Sequence, residues 1–185
     1  SYIKDMKILV VRHGRTNWND LNKVQGLADI ELNEEGKSQA KITAEKLKNE
    51  KIDLIISSPL TRTKQTAEIV RDGRDIDIIF DDRLKERDYG EFEGLTKEIF
   101  KFPDFWTYSK NIKYEKAENI QDFFGRVFEF LDELKMNKQY EEKTVLLVIH
   151  GGVSVAISAY FEGLPEEGEP TKNVMKNCEI REFYL

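Results

Sequence analysis

The chain has 185 residues and a mass of 21.7 kDa, the size of one domain. It carries 29 Lys and Arg against 35 Asp and Glu, a net charge of −6, whereas a nucleic-acid or anionic-membrane binder wants a basic face. Hydrophobic residues make up 39%, enough for a core and against general disorder, and one cysteine excludes a disulfide framework or a cysteine-rich zinc site.

The start, residues 1–6 (SYIKDM), has no charged segment followed by a long apolar one, so no signal peptide is expected, and Met6 is a candidate initiator behind a short leader. No run approaches the roughly 20 apolar residues of a membrane helix. A cytoplasmic protein is expected. Residues 7–11 (KILVV) are short, β-branched and nearly all apolar, the pattern of a strand buried on both faces. Asn33 can cap a helix from Glu34 with Ala40, Ala44 and Leu47 on one face. Residues 53–56 (DLII), with Ser57, read as a second buried strand. Ser58-Pro59 then predicts a helix start, an N-cap oxygen followed by a residue that needs no N–H donor, and that helix carries Leu60, Ala67, Ile69 and Val70.

Residues 76–80 (IDIIF) read as a third strand. Residues 81–118 are the least regular stretch, with Pro103, Trp106 and three tyrosines, and are expected to form a lid or specificity region. Asn119 opens a long helix with Phe123, Val127, Phe130, Leu131 and Leu134 on one face. Residues 144–149 (TVLLVI) are a fourth strand, followed by a small-residue helix over 152–160. Residues 179–184 (EIREFY) alternate as a half-buried or edge strand would. Strands alternating with helices predict an α/β fold with a mostly parallel central sheet between two helical layers.

The two histidines, His13 and His150, each end an apolar run and each precede glycine. Open α/β sheets bind ligands beyond the carboxyl ends of their strands. Arg12 lies at the same edge, Gly14, Gly151 and Gly152 leave backbone N–H groups open to an anion, and Arg62 sits one turn into the helix after the second strand. Two arginines, two histidines and a helix N-terminus at one edge would make a phosphate site. Zinc is the competing reading, and it lacks a third well-placed His or Cys.

Residues 11–19 (VRHGRTNWN) resemble the signature of the histidine phosphatase superfamily, the phosphoglycerate-mutase-like proteins. The resemblance continues in family order through Gln25-Gly26, Asp29, residues 32–36 (LNEEG), Gln39-Ala40, residues 57–67 (SSPLTRTKQTA), residues 84–94 (LKERDYGEFEG) and residues 148–152 (VIHGG). It implies one three-layer α/β/α domain over 1–185, with His13 as nucleophile and a phosphohistidine intermediate. It also implies Arg12, Arg62 and His150 around the phosphoryl oxygens, and Glu86 as the acid that protonates the leaving oxygen and then activates water. Substrate contacts are implied for Asn19, Gln25, Gly26, Tyr89, Lys97 and Gly151, and no metal or cofactor is. On chemistry alone the choice of Glu86 over Glu91 and Glu93 stays open.

Three departures bear on function. Arg15 stands where the family usually has an acid. Lys23 stands where it often has arginine, which keeps the charge and loses the bidentate fork. Residues 101–118 contain no arginine, whereas the mutases carry an arginine pair there that holds the substrate. The expectation is therefore a metal-independent phosphatase acting on a small phosphorylated metabolite and releasing inorganic phosphate, with no nucleic-acid or membrane partner, as a monomer or homodimer. Phe100, Phe102, Phe105, Trp106, Tyr108 and Tyr114 either line its pocket or form the lid's own core. The alternatives are a cofactor-dependent phosphoglycerate mutase and a catalytically inactive phosphate- or phosphoprotein-binding module.

Overall fold

The computed structural model describes residues 5–164 and 170–185; residues 1–4, on which part of the expectation about the leader rests, lie outside that set. Among the described residues, one sheet holds β1 (Lys7–Arg12), β2 (Leu54–Ser57), β3 (Ile78–Phe80), β4 (Thr144–Ile149) and β5 (Ile180–Tyr184), in the order β3-β2-β4-β1-β5. The first four strands are mutually parallel, and β5 runs antiparallel beside β1. The helices are α1 (Asn17–Asp20), α2 (Glu34–Leu47), α3 (Thr61–Arg71), α4 (Ile120–Met136) and α5 (Gly151–Glu162).

The buried apolar runs do what their lack of alternation implies. Successive strand residues point to opposite faces, so Ile8, Val10, Ile56, Leu147 and Ile149 pack with Phe123, Val127 and Leu131 of α4 and Val153 and Ile157 of α5. Leu9, Val11, Ile55, Leu146 and Val148 pack on the other face with Leu47 of α2 and with Ala67 and Val70 of α3. Leu147 is fully buried in the middle strand, and truncating such a residue to alanine costs about 2–5 kcal/mol. The alternating β5 is an edge strand, and at the other edge β3 leaves Ile79 and Phe80 nearly half exposed.

Boundaries shift from the sequence reading by one or two residues, and two of the shifts have a clear cause. Strand β3 starts at Ile78, because Ile76 is drawn into a tight turn, its N–H bonded to the Arg74 carbonyl. Helix α3 starts at Thr61 rather than at Pro59, with Leu60 in the capping position and no side-chain cap of its own. The Ser58 hydroxyl lies 2.8 Å from His150 Nε2 and takes only a long bond, 3.4 Å, from the Leu60 N–H. The anionic cap comes from another loop: Asp29 accepts from the Thr61 N–H at 2.7 Å and the Thr61 hydroxyl at 2.9 Å. Helix α2 starts as expected, with Asn33 Oδ1 accepting from the Gly36 N–H.

Register positions the site. Arg12 pairs with Ile149, and Ser57 with Val148. The ladders continue one step further, with the His13 N–H on the Ile149 carbonyl and the Ser58 N–H on the Val148 carbonyl, both at 3.0 Å. His13, Ser58 and His150 therefore leave three adjacent strands at one level, below the N-termini of α3 and α5. Residues 81–118 lie over that edge with two 3₁₀ turns, Asp82–Leu84 and Gly90–Phe92, and are tied to the loop after α1 by a bridge between Lys23 and Thr96.

Candidate active site

A cavity of about 340 Å³ opens at this edge, lined among others by Arg12, His13, Asn19, Gln25, Glu86 and Gly151. His13 is 2% exposed, and its Nδ1 lies 2.7 Å from the Gly14 carbonyl. A carbonyl only accepts, so Nδ1 carries the proton and the Nε2 lone pair is free. Burial, then the charges of Arg62 and Arg12, hold the ring well below the ordinary imidazole value, which keeps it neutral. The loop is held from two sides: Thr66 of α3 accepts from the Gly14 N–H at 3.1 Å, and Asn177 donates to the His13 carbonyl at 3.0 Å.

Arg12 Nη1 donates to the Met175 carbonyl at 2.5 Å. Arg12 passes so close to α5 that a Cβ on Gly151 would lie 3.2 Å from its Cζ. Arg62 is fully buried, and its two terminal nitrogens donate to the Ala28 and Gly26 carbonyls at 2.6 and 2.5 Å. Burial lowers it to about 10, which still leaves it charged at neutral pH. His150 is fully buried, its ring centroid 5.3 Å from that of His13, and burial followed by Arg62 keeps it neutral. Arg12 Nε, Arg62 Nε and His150 Nδ1 are buried and make no hydrogen bond within the chain. Buried polar groups are nearly always paired, and unpaired guanidinium and imidazole nitrogens near His13 suit an anion with several acceptor oxygens.

Glu86 lies in the same cavity and is 5% exposed. Its Oε2 accepts from the Gly152 N–H at 2.8 Å and its Oε1 from the Arg87 N–H at 3.0 Å. Burial raises its carboxyl above the ordinary range, opposed by those two N–H groups and by Arg62 and Arg12. The other two glutamates are placed elsewhere. Glu91 is exposed, and Glu93 accepts from the Gly26 and Ala28 N–H groups at 2.6 and 2.8 Å.

Residues 8–184 match the histidine phosphatase superfamily (branch 1). The chain belongs to that superfamily. It is 37% identical to the uncharacterized phosphatase PhoE of Bacillus subtilis, over 95% of this chain and 89% of that protein. It is 36% identical to phosphoserine phosphatase 1 of Hydrogenobacter thermophilus, over 78% of this chain and 71% of that protein. Proteins named probable phosphoglycerate mutase match at 34% identity and below. Among solved structures, the mycobacterial glucosyl-3-phosphoglycerate phosphatase in complex with vanadate superposes with a TM-score of 0.83 at 29% identity, over 96% of this chain and 92% of that one. This histidine phosphatase is a phosphoric monoester hydrolase with a mostly parallel α/β fold.

The remaining candidates of this histidine phosphatase fall into two groups. Asn19, Gln25, Tyr89, Lys97 and Gly151 line the cavity, while Arg62 and His150 lie beneath its surface. The Oδ1 of Asn19 is taken by the Thr16 N–H in a capping box, which leaves its NH₂ as the donor it can offer an anion. Gly26 is not in the lining: its N–H goes to Glu93 and its carbonyl to Arg62, so its backbone braces the loop instead of offering a donor to substrate. Arg15 points away, onto Asp20 at 2.6 Å. Lys23 lines the cavity with its Nζ 5.5 Å from the Trp18 ring centroid. Lys97 is lowered by burial and by Arg12, and Tyr89 is raised by burial and by Glu86.

The aromatics of residues 81–118 serve both of their expected roles. Phe100 and Trp106 line the cavity. Phe92, Phe100, Phe102, Phe105 and Tyr114 pack ring against ring into a core of the lid, and Tyr108 packs on Phe124 of the main core. Sequence reasoning missed the supporting residues Thr66, Arg87, Met175 and Asn177. Arg87 is fully buried, donates to the Glu118 and Phe105 carbonyls, and lies 3.5 Å over the Phe105 ring. Arg87 and Thr66 lie inside blocks that carry the resemblance, which gave them no role of their own.

Proposed function

We propose that this phosphatase hydrolyses small phosphate monoesters in two in-line steps through a phosphohistidine on His13. The observation that carries this is the Nδ1–H bond from His13 to the Gly14 carbonyl, which leaves Nε2 as a neutral nucleophile in a cavity shared with Arg12 and Glu86. In the first step Nε2 bonds to phosphorus, the ester P–O bond breaks, and the leaving oxygen takes the proton of Glu86. In the second, the Glu86 carboxylate takes a proton from water, the water oxygen bonds to phosphorus, and the P–N bond breaks to release inorganic phosphate.

Arg12 in the lining, with Arg62 and His150 beneath it, stabilises the non-bridging oxygens, where transition-state charge gathers. In this reading the Ser58 hydroxyl, 3.4 Å from the Leu60 N–H and 2.8 Å from His150 Nε2, donates its proton to Nε2 and leaves the ring proton of His150 on Nδ1. One histidine then offers a lone pair and the other an N–H. Among the described residues, no group of three or more His, Cys, Asp and Glu is placed to hold a metal ion, and in this reading the arginines supply the positive charge.

Lys23 and Lys97 in the lining support a substrate with a second anionic group beside the phosphate, and Phe100 and Trp106 limit its size. Among the described residues no helix is long and apolar enough to cross a membrane. The single cysteine fits a reducing compartment, and in this reading the protein is cytoplasmic. The test is release of phosphate from p-nitrophenyl phosphate. His13→Ala should abolish it and chelators should leave it unchanged, while full activity in the variant would end the proposal. In a parallel assay with 3-phosphoglycerate and a trace of 2,3-bisphosphoglycerate, free phosphate should appear; faster formation of 2-phosphoglycerate would make the protein a mutase.

A further inference from the structure

Glu86 sits in a segment with no ladder to hold it. Residues 85–89 follow a 3₁₀ turn and precede another, yet the carbonyls of Arg83, Lys85 and Glu86 all turn toward one side chain from another element. Arg126 of α4 donates through Nη1 to Arg83 and Lys85, both at 2.7 Å, and through Nη2 to Glu86 at 2.9 Å. Its Nε and Nη2 also donate to the two carboxylate oxygens of Glu118 at 2.9 and 3.0 Å. All five guanidinium donors are thereby used in one planar fork. Glu118 closes the arrangement from the end of the lid. Its carboxylate also accepts from the Asp88 N–H at 3.1 Å, its own N–H donates to the Asp88 carbonyl at 2.8 Å, and its carbonyl accepts from Arg87 Nε at 2.9 Å. Both residues of this pair are about four-fifths buried.

We propose that Arg126, held by Glu118, is a positioning residue that fixes the backbone carrying Glu86 and so aims its carboxyl at the leaving oxygen; this rests on the reading of Glu86 as the acid. The carboxylate itself is pinned by the Arg87 and Gly152 N–H groups. The first of these belongs to the segment that Arg126 holds, and the second to α5. Letting the segment drift moves the Arg87 N–H relative to α5, and the carboxyl cannot keep both bonds. Lysine in place of Arg126 keeps the charge and the stem and cannot reach three carbonyls and a carboxylate in one plane.

A merely structural loss lowers the amount of active enzyme and affects every substrate by the same factor. Loss of aim at the leaving oxygen is selective. An alkyl alcohol needs the proton to depart, whereas p-nitrophenolate departs without it. The experiment measures kcat/KM for glycerol phosphate and p-nitrophenyl phosphate in wild type, Arg126→Lys, Glu118→Gln, Glu86→Gln and Glu86→Gln/Arg126→Lys, with thermal unfolding to identify folded variants. The expected result is that Arg126→Lys loses roughly tenfold more on the alkyl than on the aryl ester. Glu118→Gln should fall between it and wild type, and the double variant should be no more selective than Glu86→Gln alone. Equal loss on both esters in folded Arg126→Lys, or no loss, overturns the inference. If that variant does not fold, Glu118→Gln decides by the same comparison. If Glu86→Gln itself shows no leaving-group selectivity, the assignment of the acid fails and the inference with it. Selectivity in Glu86→Gln without selectivity in Arg126→Lys or Glu118→Gln overturns the inference alone.

Discussion

Gly152→Ala sets one methyl group against the carboxylate of Glu86. A Cβ at that position lies 2.3 Å from Oε1, 3.0 Å from Cδ of the same residue and 3.0 Å from Cη2 of Trp106. Ordinary contact begins near 3.4 Å, so the carboxylate must retreat by about 1 Å. It cannot do so and keep its bonds to the Gly152 and Arg87 N–H groups at 2.8 and 3.0 Å. Helix α5 cannot give way either, because Val153, Ala156 and Ile157 are fully buried against the sheet and α4. A misplacement of about 1 Å costs on the order of 10²-fold in rate. The loss belongs to the step that needs a proton from Glu86. Steady-state kinetics on glycerol phosphate and p-nitrophenyl phosphate should therefore show kcat/KM falling about 100-fold on the first and by less than roughly threefold on the second. Equal losses on both esters in a folded variant, or unchanged hydrolysis of glycerol phosphate, would refute the placement of Glu86 as the acid.

Ser58→Ala removes the partner of His150 Nε2; a lost hydrogen bond of about 1.4 kcal/mol should lower kcat/KM about tenfold on both esters, since the phosphoryl oxygens are common to them. An unchanged rate would refute the tautomer assignment. Stability should also follow pH. Both histidines are held below 6.5 by burial, so below pH 6.5 the unfolded chain binds more protons than the folded one. Stability then falls with falling pH, by up to about 2.7 kcal/mol per pH unit for the two together. Glu86 is raised above 4.5, works in the opposite sense from pH 4.5 up to its folded value, and offsets at most one histidine. Urea unfolding between pH 5 and 8 should show a shallower slope in His150→Gln than in wild type, and an identical slope would contradict burial of a neutral ring.

The sequence and the structure agree where burial dictates the pattern. Residues 7–11 and 144–149 are buried on both faces, and their ends deliver His13 and His150 to one level, so an apolar run followed by His-Gly was enough to find them. The start of α3 was not legible, because Ser58 spends its hydroxyl on His150 and the cap comes from Asp29, 32 residues away. Helix α1 spans four residues, too few for a periodicity to show. Glu86 could be separated from Glu91 and Glu93 only by resemblance, since irregular backbone gives no register from which to read a direction. The residues that brace the site are less visible still. Arg87 and Arg126 act mainly on backbone carbonyls, and any sequence supplies those acceptors, so no local pattern marks the partners. Gly26 shows the converse error, in which a residue of a matching motif has its polar groups turned to Glu93 and Arg62 instead of to the cavity, while Arg15, a departure from the motif, points outward onto Asp20.

The mechanism stands on a covalent bond between phosphorus and His13 Nε2. Enzyme mixed with ³²P-labelled aryl phosphate and quenched in alkali within milliseconds should carry an acid-labile, alkali-stable label on the peptide containing His13. That label should be absent in His13→Asn and should persist longer in Glu86→Gln. Label on another peptide, or rapid turnover with no labelled enzyme at any quench time, would contradict the mechanism.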